Sequence, residues 1–441
     1  MQTIVVKFGG SSLANADQIR KATDIVKQNP SRRYMVASAP GKRTPDDVKI
    51  TDLLYTCYDR AVEGRDWTSA LSGIRERYEE IARDLGVTSV DLAAEFDTLQ
   101  KHLEHEPKAD YMASRGEYLN AKIIAAYIGF DFLDAADFIR FDETGVYDSE
   151  ATEKLLVPLL LRHKKAVIPG FYGALPNGEI HTFSRGGSDV TGSIVAKAAK
   201  ANVYENWTDV SGMLVADPRI VKDPRPIEVI SYKELRELSY MGANVLHQDA
   251  VFPVYSAGIP INIRNTNCPD DKGTMIVRHV KNTQPEKIIT GIAGTKGFTN
   301  ILIEKSMMNS EIGFGARVLQ IFADFNVSFE HLPSGIDTLS VVVATEDWKD
   351  ARTDILKRIQ EVTHPDNIKI EDHIAMIAVV GHGMVGTKGL AARVFNAIAK
   401  ADLNIRMIDQ GSSEINIIIG IKDEDYETAI RALYAEFEKD L

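Results

Sequence analysis

From Ile4 to about residue 280 the chain alternates short apolar runs with helical stretches. That alternation restricts the region to an α/β fold, a mostly parallel central sheet sandwiched by helices. The runs are IVVKF (4–8), RYMVASAP (33–40), FDFLDAADFI (130–139), AVIPGFYG (166–173) and PINIRN (260–265). Residues 58–106 hold three charged amphipathic runs, IRERYEEIARDL among them, and predict a helical excursion ahead of a helix over 114–128.

After Pro285 the pattern becomes a repeat. FTNILIEK (298–305), GFGARVLQIFADFN (313–326), VSFEHLP, DTLSVVVA and a helix near 348–360 make one βαββα unit. IAMIAVVG (374–381), GLAARVFNAIAKADLN (389–404), IRMIDQG, EINIIIGI (414–421) and a helix over 424–438 make the second. The first copy is closed by NIKIED (367–372), whereas the second helix of the second copy runs into Leu441. The unused strand IITGIAG (288–294) is therefore expected in the second copy's sheet.

With 441 residues the chain exceeds one core, so two or three domains are expected. A formal net charge of -12, from 51 Lys+Arg against 63 Asp+Glu, argues against a nucleic-acid backbone binder. Cys57 and Cys268 stand far apart with no CxxC spacing, which fits a reducing compartment and no thiolate metal site. A charged leader is missing at the N-terminus and no apolar stretch approaches about 18 residues, so a cytoplasmic chain with no membrane partner is expected.

Chemistry concentrates at several short stretches. Lys7 precedes Gly9, Gly10, Ser11 and Ser12, unlike the phosphate loop in which a lysine follows the glycines. The glycines let the backbone approach an anion, and Ser11 and Ser12 are expected to cap the helix near 16–28. The string HTFSRGGSD (181–189) sets Arg185, a fork suited to a carboxylate, beside Gly186, Gly187, Ser188 and Asp189, the last two as helix caps. Ser114-Arg115-Gly116-Glu117 reads as a helix opening with Glu117 in its first turn, and Ser38 and Thr44 follow the second apolar run, at the sheet edge where ligands bind. Thr208, Asp209, Asp217 and Arg219 lie in turn-rich NWTDVSG and ADPR. The ten histidines show no metal spacing, no protein metal ligand is assigned, and GxSxG is absent.

Taken together, KFGGSS, FSRGGSD, WTDVSG, ADPR and the tandem βαββα region resemble the aspartate kinase family end to end, in its single-function form. The resemblance implies transfer of the ATP γ-phosphoryl group to the β-carboxylate of L-aspartate, with Mg2+ held mainly through the nucleotide phosphates. It implies a catalytic domain over 1–283 and two ferredoxin-like ACT domains, one over 298–373 and one built from 286–295 and 374–441. By the same resemblance Lys7, Gly9, Gly10 and Asp189 serve catalysis, and Ser38, Thr44, Glu117, Arg185, Gly187 and Ser188 bind aspartate. Lys7, Gly10, Ser11, Thr208, Asp209, Leu214, Asp217, Arg219 and Asn244 serve the nucleotide. Asn244 stands in GANVLHQ where the family commonly has the lysine of GAKVLHP, which implies weaker phosphate contact there or a cation from elsewhere.

The paired repeats imply an end-product effector, lysine preferred over threonine, and a homodimer through the ACT domains, with a dimer of dimers left open. Met307, Asn309, Ser310, Gly313, Phe314, Ser328 and Glu330 are the effector candidates, Glu330 as acceptor for an ammonium. Two rival readings are a related amino-acid or carbamate kinase and an inactive amino-acid-sensing ACT protein.

Overall fold

The structure, a computed structural model, describes residues 2–184, 186–243, 246, 248–280 and 287–440, with backbone alone at 248–251. Two compact units divide the chain. The first comprises Met1–Met213, Glu228–Tyr232 and Val245–Val280, and the second Leu214–Ile227, Lys233–Asn244 and Lys281–Leu441.

In the first unit an eight-stranded sheet runs in the order Val229–Ser231, Thr274–Val277, Ile261–Asn265, Val203–Thr208, Ile4–Phe8, Arg32–Ala37, Ala166–Pro169, Asp131–Phe132. Every neighbouring pair is parallel except Ile261–Asn265 with Thr274–Val277. On the strand Ile4–Phe8, Val6 and Phe8 enter an apolar cluster with Met35, Ala37 and Val167 and with the helices Ala16–Gln28, Ile50–Val62, Thr68–Leu85, Leu92–His105 and Ala109–Ile128. The period of two turns Lys7 to the opposite face, where the helix Gly187–Ala198 packs.

Several local expectations change. The three charged runs form three helices beginning at Ile50, and the helix expected over 114–128 starts at Ala109. Of FDFLDAADFI only Asp131–Phe132 is strand, because the Asp134 carboxylate accepts the Ala136 N–H and starts a 3-10 turn instead. Neither Ser11 nor Ser12 caps the first helix. Residues Gly10–Leu13 form a 3-10 turn and Asn15 accepts the Gln18 N–H, so Asn15 is the cap.

Beneath the sheet the cluster face carries one buried ionic group. Glu205 accepts from Arg32 Nε at 2.8 Å and from Trp207 Nε1 at 2.9 Å, and Arg264 approaches it at 3.8 Å. Both guanidinium groups lie over the Trp207 ring, at 5.3 and 4.6 Å from its centroid.

The second unit holds a five-stranded sheet in the order Thr338–Ala344, Gly291–Glu304, Asn367–Val380, Asn416–Lys422, Met407–Asp409, antiparallel throughout. The four strands expected from 288–305 and 367–381 are two continuous strands of 14 residues each. One half, Phe298–Glu304, pairs with Thr338–Ala344 of the first repeat, whereas Gly291–Thr295 pairs with Met376–Val380 of the second. Between the halves the register shifts after Thr295, Gly297 has φ 93° and His373 has φ 63°, a bulge that bends the shared pair without ending it.

VSFEHLP forms no strand. It meets Thr338–Ala344 through the His331–Val342 bridge and the Ser340 N–H donated to the Pro333 carbonyl at 2.8 Å, with a further bridge at Ser334, and Pro333 has no N–H to extend the ladder. Trp348, Phe314, Phe322 and Ile355 fill the first repeat's core under the helices Phe314–Asp324 and Arg352–Thr363.

Removal of Glu205 leaves two guanidinium groups against Trp207 without their carboxylate. Glu205→Ala is expected to lose roughly 3–5 kcal/mol of stability in urea unfolding. Unchanged unfolding in that variant would show that the ionic group does not hold the strands beneath the site.

Candidate active site

The carboxyl ends of the parallel strands converge on Lys7. Its ammonium lies 2.6 Å from Asp189 Oδ1, and the same oxygen accepts from Asn206 Nδ2 at 2.9 Å. Asn206 pairs with Lys7 in register on the adjacent strand, so sheet geometry places the amide beside the cation. Asp189 sits in the first turn of its helix, while the N-cap is Gly186 at φ 59°, so neither Ser188 nor Asp189 caps. The carboxylate is thereby free to face the strand and hold Lys7.

The Gly9 N–H donates to the Trp207 carbonyl at 3.0 Å rather than pointing at a ligand. A Cβ on Gly9 would stand 3.6 Å from Lys7 Nζ, and one on Gly10 would stand 3.0 Å from the Ala39 carbonyl. Gly41 donates to the Gly10 carbonyl at 2.8 Å, and a Cβ there would be 2.5 Å from the Gly10 carbonyl carbon. The two loops thus touch backbone to backbone, a contact not marked by any motif in the chain. Ser188 packs on Gly170, which donates to the Ala37 carbonyl at 3.0 Å, and Gly187 packs on Phe171. Ser11 is exposed, and the Ser12 hydroxyl bonds Thr266 Oγ1 at 2.7 Å.

Glu117 lies in the interior of the helix Ala109–Ile128, not in its first turn, and is 5 % exposed. Burial pushes its carboxyl up to about 8, against a hydrogen bond from the Ala39 backbone N–H and the charge of Arg115. One helical turn on, Asn120 Nδ2 donates to the Ser38 carbonyl at 2.7 Å. Sequence reasoning missed Asn120, whose only signal is its i+3 spacing from Glu117. It also missed Arg77, a buried cation that donates to the carbonyls of Gly41, Ala14 (3.3 Å) and Val48 (3.2 Å) and fixes the loop after Ser38. Thr44 is exposed on that loop, its carbonyl accepting the Asp47 N–H. The Arg43 side chain, helped by Arg77, holds the Asp47 carboxylate well below the usual range.

Thr208 and Asp209 end the strand beside Lys7's, with Thr208 Oγ1 3.1 Å from Asp209 Oδ1. Leu214, Asp217 and Arg219 belong to the second unit, where Asp217 accepts from Arg219 Nη2 at 2.6 Å. Arg185 and Asn244 lie outside the described residues.

Among the effector candidates Met307 (φ 61°) is exposed, Gly313 at φ 80° precedes the helix Phe314–Asp324, and Ser310 Oγ donates to the Met307 carbonyl. Phe314 is buried in the repeat core, so its ring belongs to packing. Asn309 and Ser328 are exposed, and the Glu330 carboxylate accepts from the Tyr240 hydroxyl.

A cation, a carboxylate beside it, two glycine turns and a buried acid at the carboxyl edge of a parallel sheet make a small-molecule enzyme site. The profile of the amino acid kinase family matches residues 2–265, and that of the ACT domain residues 377–437. Aspartokinase 3 of Bacillus subtilis is 39% identical over 449 residues, 98% of each chain. The crystal structure of Clostridium acetobutylicum aspartate kinase is 47% identical, with a TM-score of 0.91 over 100% of both chains. Escherichia coli aspartokinase III, solved with aspartate and ADP, shares the fold at 24% identity and a TM-score of 0.77 over 99% of this chain and 100% of that one. The chain belongs to the aspartokinase branch of the amino acid kinase family.

Glu117 keeps a proton in the folded protein that the unfolded chain releases near its ordinary value of 4.5. Stability therefore falls as pH rises from about 4.5 to about 8, and this group contributes no slope below that window. Glu117→Gln removes the slope. Urea unfolding at pH 5 and pH 8 is expected to show the variant gaining on wild type by on the order of 1–4 kcal/mol at the higher pH. Parallel pH curves for the two proteins would contradict the assignment.

Proposed function

We propose that the chain transfers the γ-phosphoryl group of ATP to the β-carboxylate of L-aspartate, giving ADP and 4-phospho-L-aspartate, and that an end-product amino acid inhibits it. The observation that carries this reading is the Lys7–Asp189 pair beside the Gly9-Gly10 turn in an aspartokinase chain. A side-chain carboxylate of ordinary pKa about 3.9 is ionised near neutral pH, so the nucleophile needs no general base. What the protein must supply is alignment of two anions and relief of their repulsion.

Lys7 supplies the positive charge at the transferring group, and Asp189 with Asn206 holds the ammonium in place. Glu117 takes the substrate ammonium, and Ser38, Thr44, Arg185, Gly187 and Ser188 complete the aspartate site. Thr208, Asp209, Leu214, Asp217, Arg219 and Asn244 serve the nucleotide with Gly10 and Ser11. Mg2+ bound on the nucleotide phosphates neutralises part of their charge. No group of three metal-ligating side chains occurs among the described residues.

Residues 1–283 are the catalytic domain in this reading, 298–373 the first ACT domain, and 286–295 with 374–441 the second. The ACT domains bind lysine through the segment from Met307 to Glu330 and join two copies of the chain. No helix among the described residues is long and apolar enough to cross a membrane, and the cytoplasm is the expected compartment.

Lys7→Ala is expected to cut turnover at saturating ATP and aspartate by roughly 10²-fold or more, read as aspartyl hydroxamate formed with hydroxylamine. Near wild-type turnover in a folded variant would remove Lys7 from the chemistry. Glu330→Ala is expected to raise the lysine concentration needed for half inhibition by about tenfold, the loss of one charge-assisted contact. An unchanged inhibition curve would exclude Glu330 as an effector contact.

A further inference from the structure

Phe171 has φ 81°, a left-handed conformation that favours glycine, so its neighbours must hold a bulky residue there. Its N–H donates to Thr191 Oγ1 at 3.1 Å, and its carbonyl accepts the Phe183 N–H at 2.9 Å. The turn it makes with Gly170 touches the residues assigned above to aspartate. Gly170 donates to the Ala37 carbonyl, next to Ser38, and stands against Ser188, while the Phe171 ring stands against Gly187.

The strand that leads into Phe183 is held from a helix. Ile180–Thr182 pairs antiparallel with Tyr172–Ala174, and Asp110 binds its end with both carboxylate oxygens. Asp110 Oδ1 accepts from the Thr182 hydroxyl at 2.9 Å, and Oδ2 accepts the Thr182 N–H at 3.2 Å and lies 2.9 Å from His181 Nδ1. Phe141 packs edge-on to the His181 ring with centroids 4.7 Å apart, and Lys108 meets Glu179 at 2.6 Å between the same helix start and hairpin. An acid in a first helical turn is ordinarily explained by the helix dipole. Here Lys108 starts the helix Ala109–Ile128 without a side-chain cap, and the Asp110 carboxylate bonds the hairpin instead. Seven residues, close to two helical turns, separate Asp110 from Glu117, so the two acids share one face about 10 Å apart along the axis. Burial first, then the charges of Asp110 and Glu117, raises the pKa of the Tyr55 hydroxyl on the helix Ile50–Val62 that packs there.

We propose that Asp110 is a positioning residue for the aspartate site: by fixing Thr182 it holds the strained Phe171 turn, and with it Gly187 and Ser188, in place relative to Glu117. This rests on the aspartate reading above. Asp110 acts through the strand and not on the substrate. One helix thus carries both a substrate contact and the anchor of the chain that completes the site, so a shift of either is a shift of both.

Steady-state kinetics of the full chain, read as aspartyl hydroxamate, test this. Asp110→Ala is expected to raise KM for aspartate about tenfold and to leave KM for ATP unchanged. Thr182→Val keeps the size and the N–H but loses the hydroxyl donor, and is expected to raise KM for aspartate about threefold. Thr182→Ser keeps the donor and is expected to stay near wild type. The double variant Asp110→Ala, Thr182→Val is expected to match Asp110→Ala alone, because the acid acts through the strand. A variant that is merely less stable loses active molecules, and so kcat, with neither KM changed. That pattern in Asp110→Ala, an equal rise in both KM values, or a double variant showing the product of the two single changes would overturn the proposal. Should Asp110→Ala fail to fold, equal KM for aspartate in Thr182→Val and Thr182→Ser would overturn it. Wild-type protein that forms no hydroxamate from aspartate would overturn the aspartate reading itself, and the proposal with it.

Discussion

The site depends on one ion pair. Lys7 stands on a central strand whose neighbours Val6 and Phe8 point into the apolar cluster, so the pleat alone carries its ammonium to the opposite face. There Asp189 meets it at 2.6 Å from the first turn of a helix that begins only after a left-handed glycine. Had Ser188 or Asp189 been the cap, the carboxylate would have been drawn to the helix's own N–H groups. Because Gly186 takes the bend, the acid is left to the lysine, and Asn206 keeps it there.

The parts legible in the sequence are those whose cause is local. A β-branched strand entering paired glycines is readable from Ile4 to Gly10, and the parallel α/β core follows from the spacing of such runs. Depth was not readable. Glu117 looks like a first-turn acid until five residues of uncapped helix are added before Ser114, which turns an exposed position into a buried one with a raised pKa. The Gly10–Gly41 contact, the Arg77 anchor and the Asn206 partnership each join residues far apart in sequence, and no periodicity marks them.

In the second unit, continuity was the hidden property. Four strand-like runs read as separate because Gly297 and His373 interrupt their patterns, yet both interruptions are bends within strands. The two repeats therefore share backbone hydrogen bonds along one pair of strands, in addition to side-chain contacts such as His331 with Asp409 at 2.9 Å. A disturbance that shifts one half of such a strand is felt in the other half through the ladder itself.

The helix Tyr232–Tyr240 takes this further. Along it and just past its end, Glu234 accepts from Thr290 Oγ1 at 2.6 Å and from the His382 N–H at 2.7 Å, Glu237 accepts from Asn416, and the Met241 carbonyl accepts from Thr295. These residues are flanked in the chain by strands of the eight-stranded sheet, yet they pack with the two repeats. Three chain segments form each unit, six in all, so the polypeptide passes between the units five times. Severing the chain at the junction near 280 would therefore leave two pieces of the second unit behind with the first. The apolar faces of those pieces would be uncovered, and a fragment cut there would be a sticky protein.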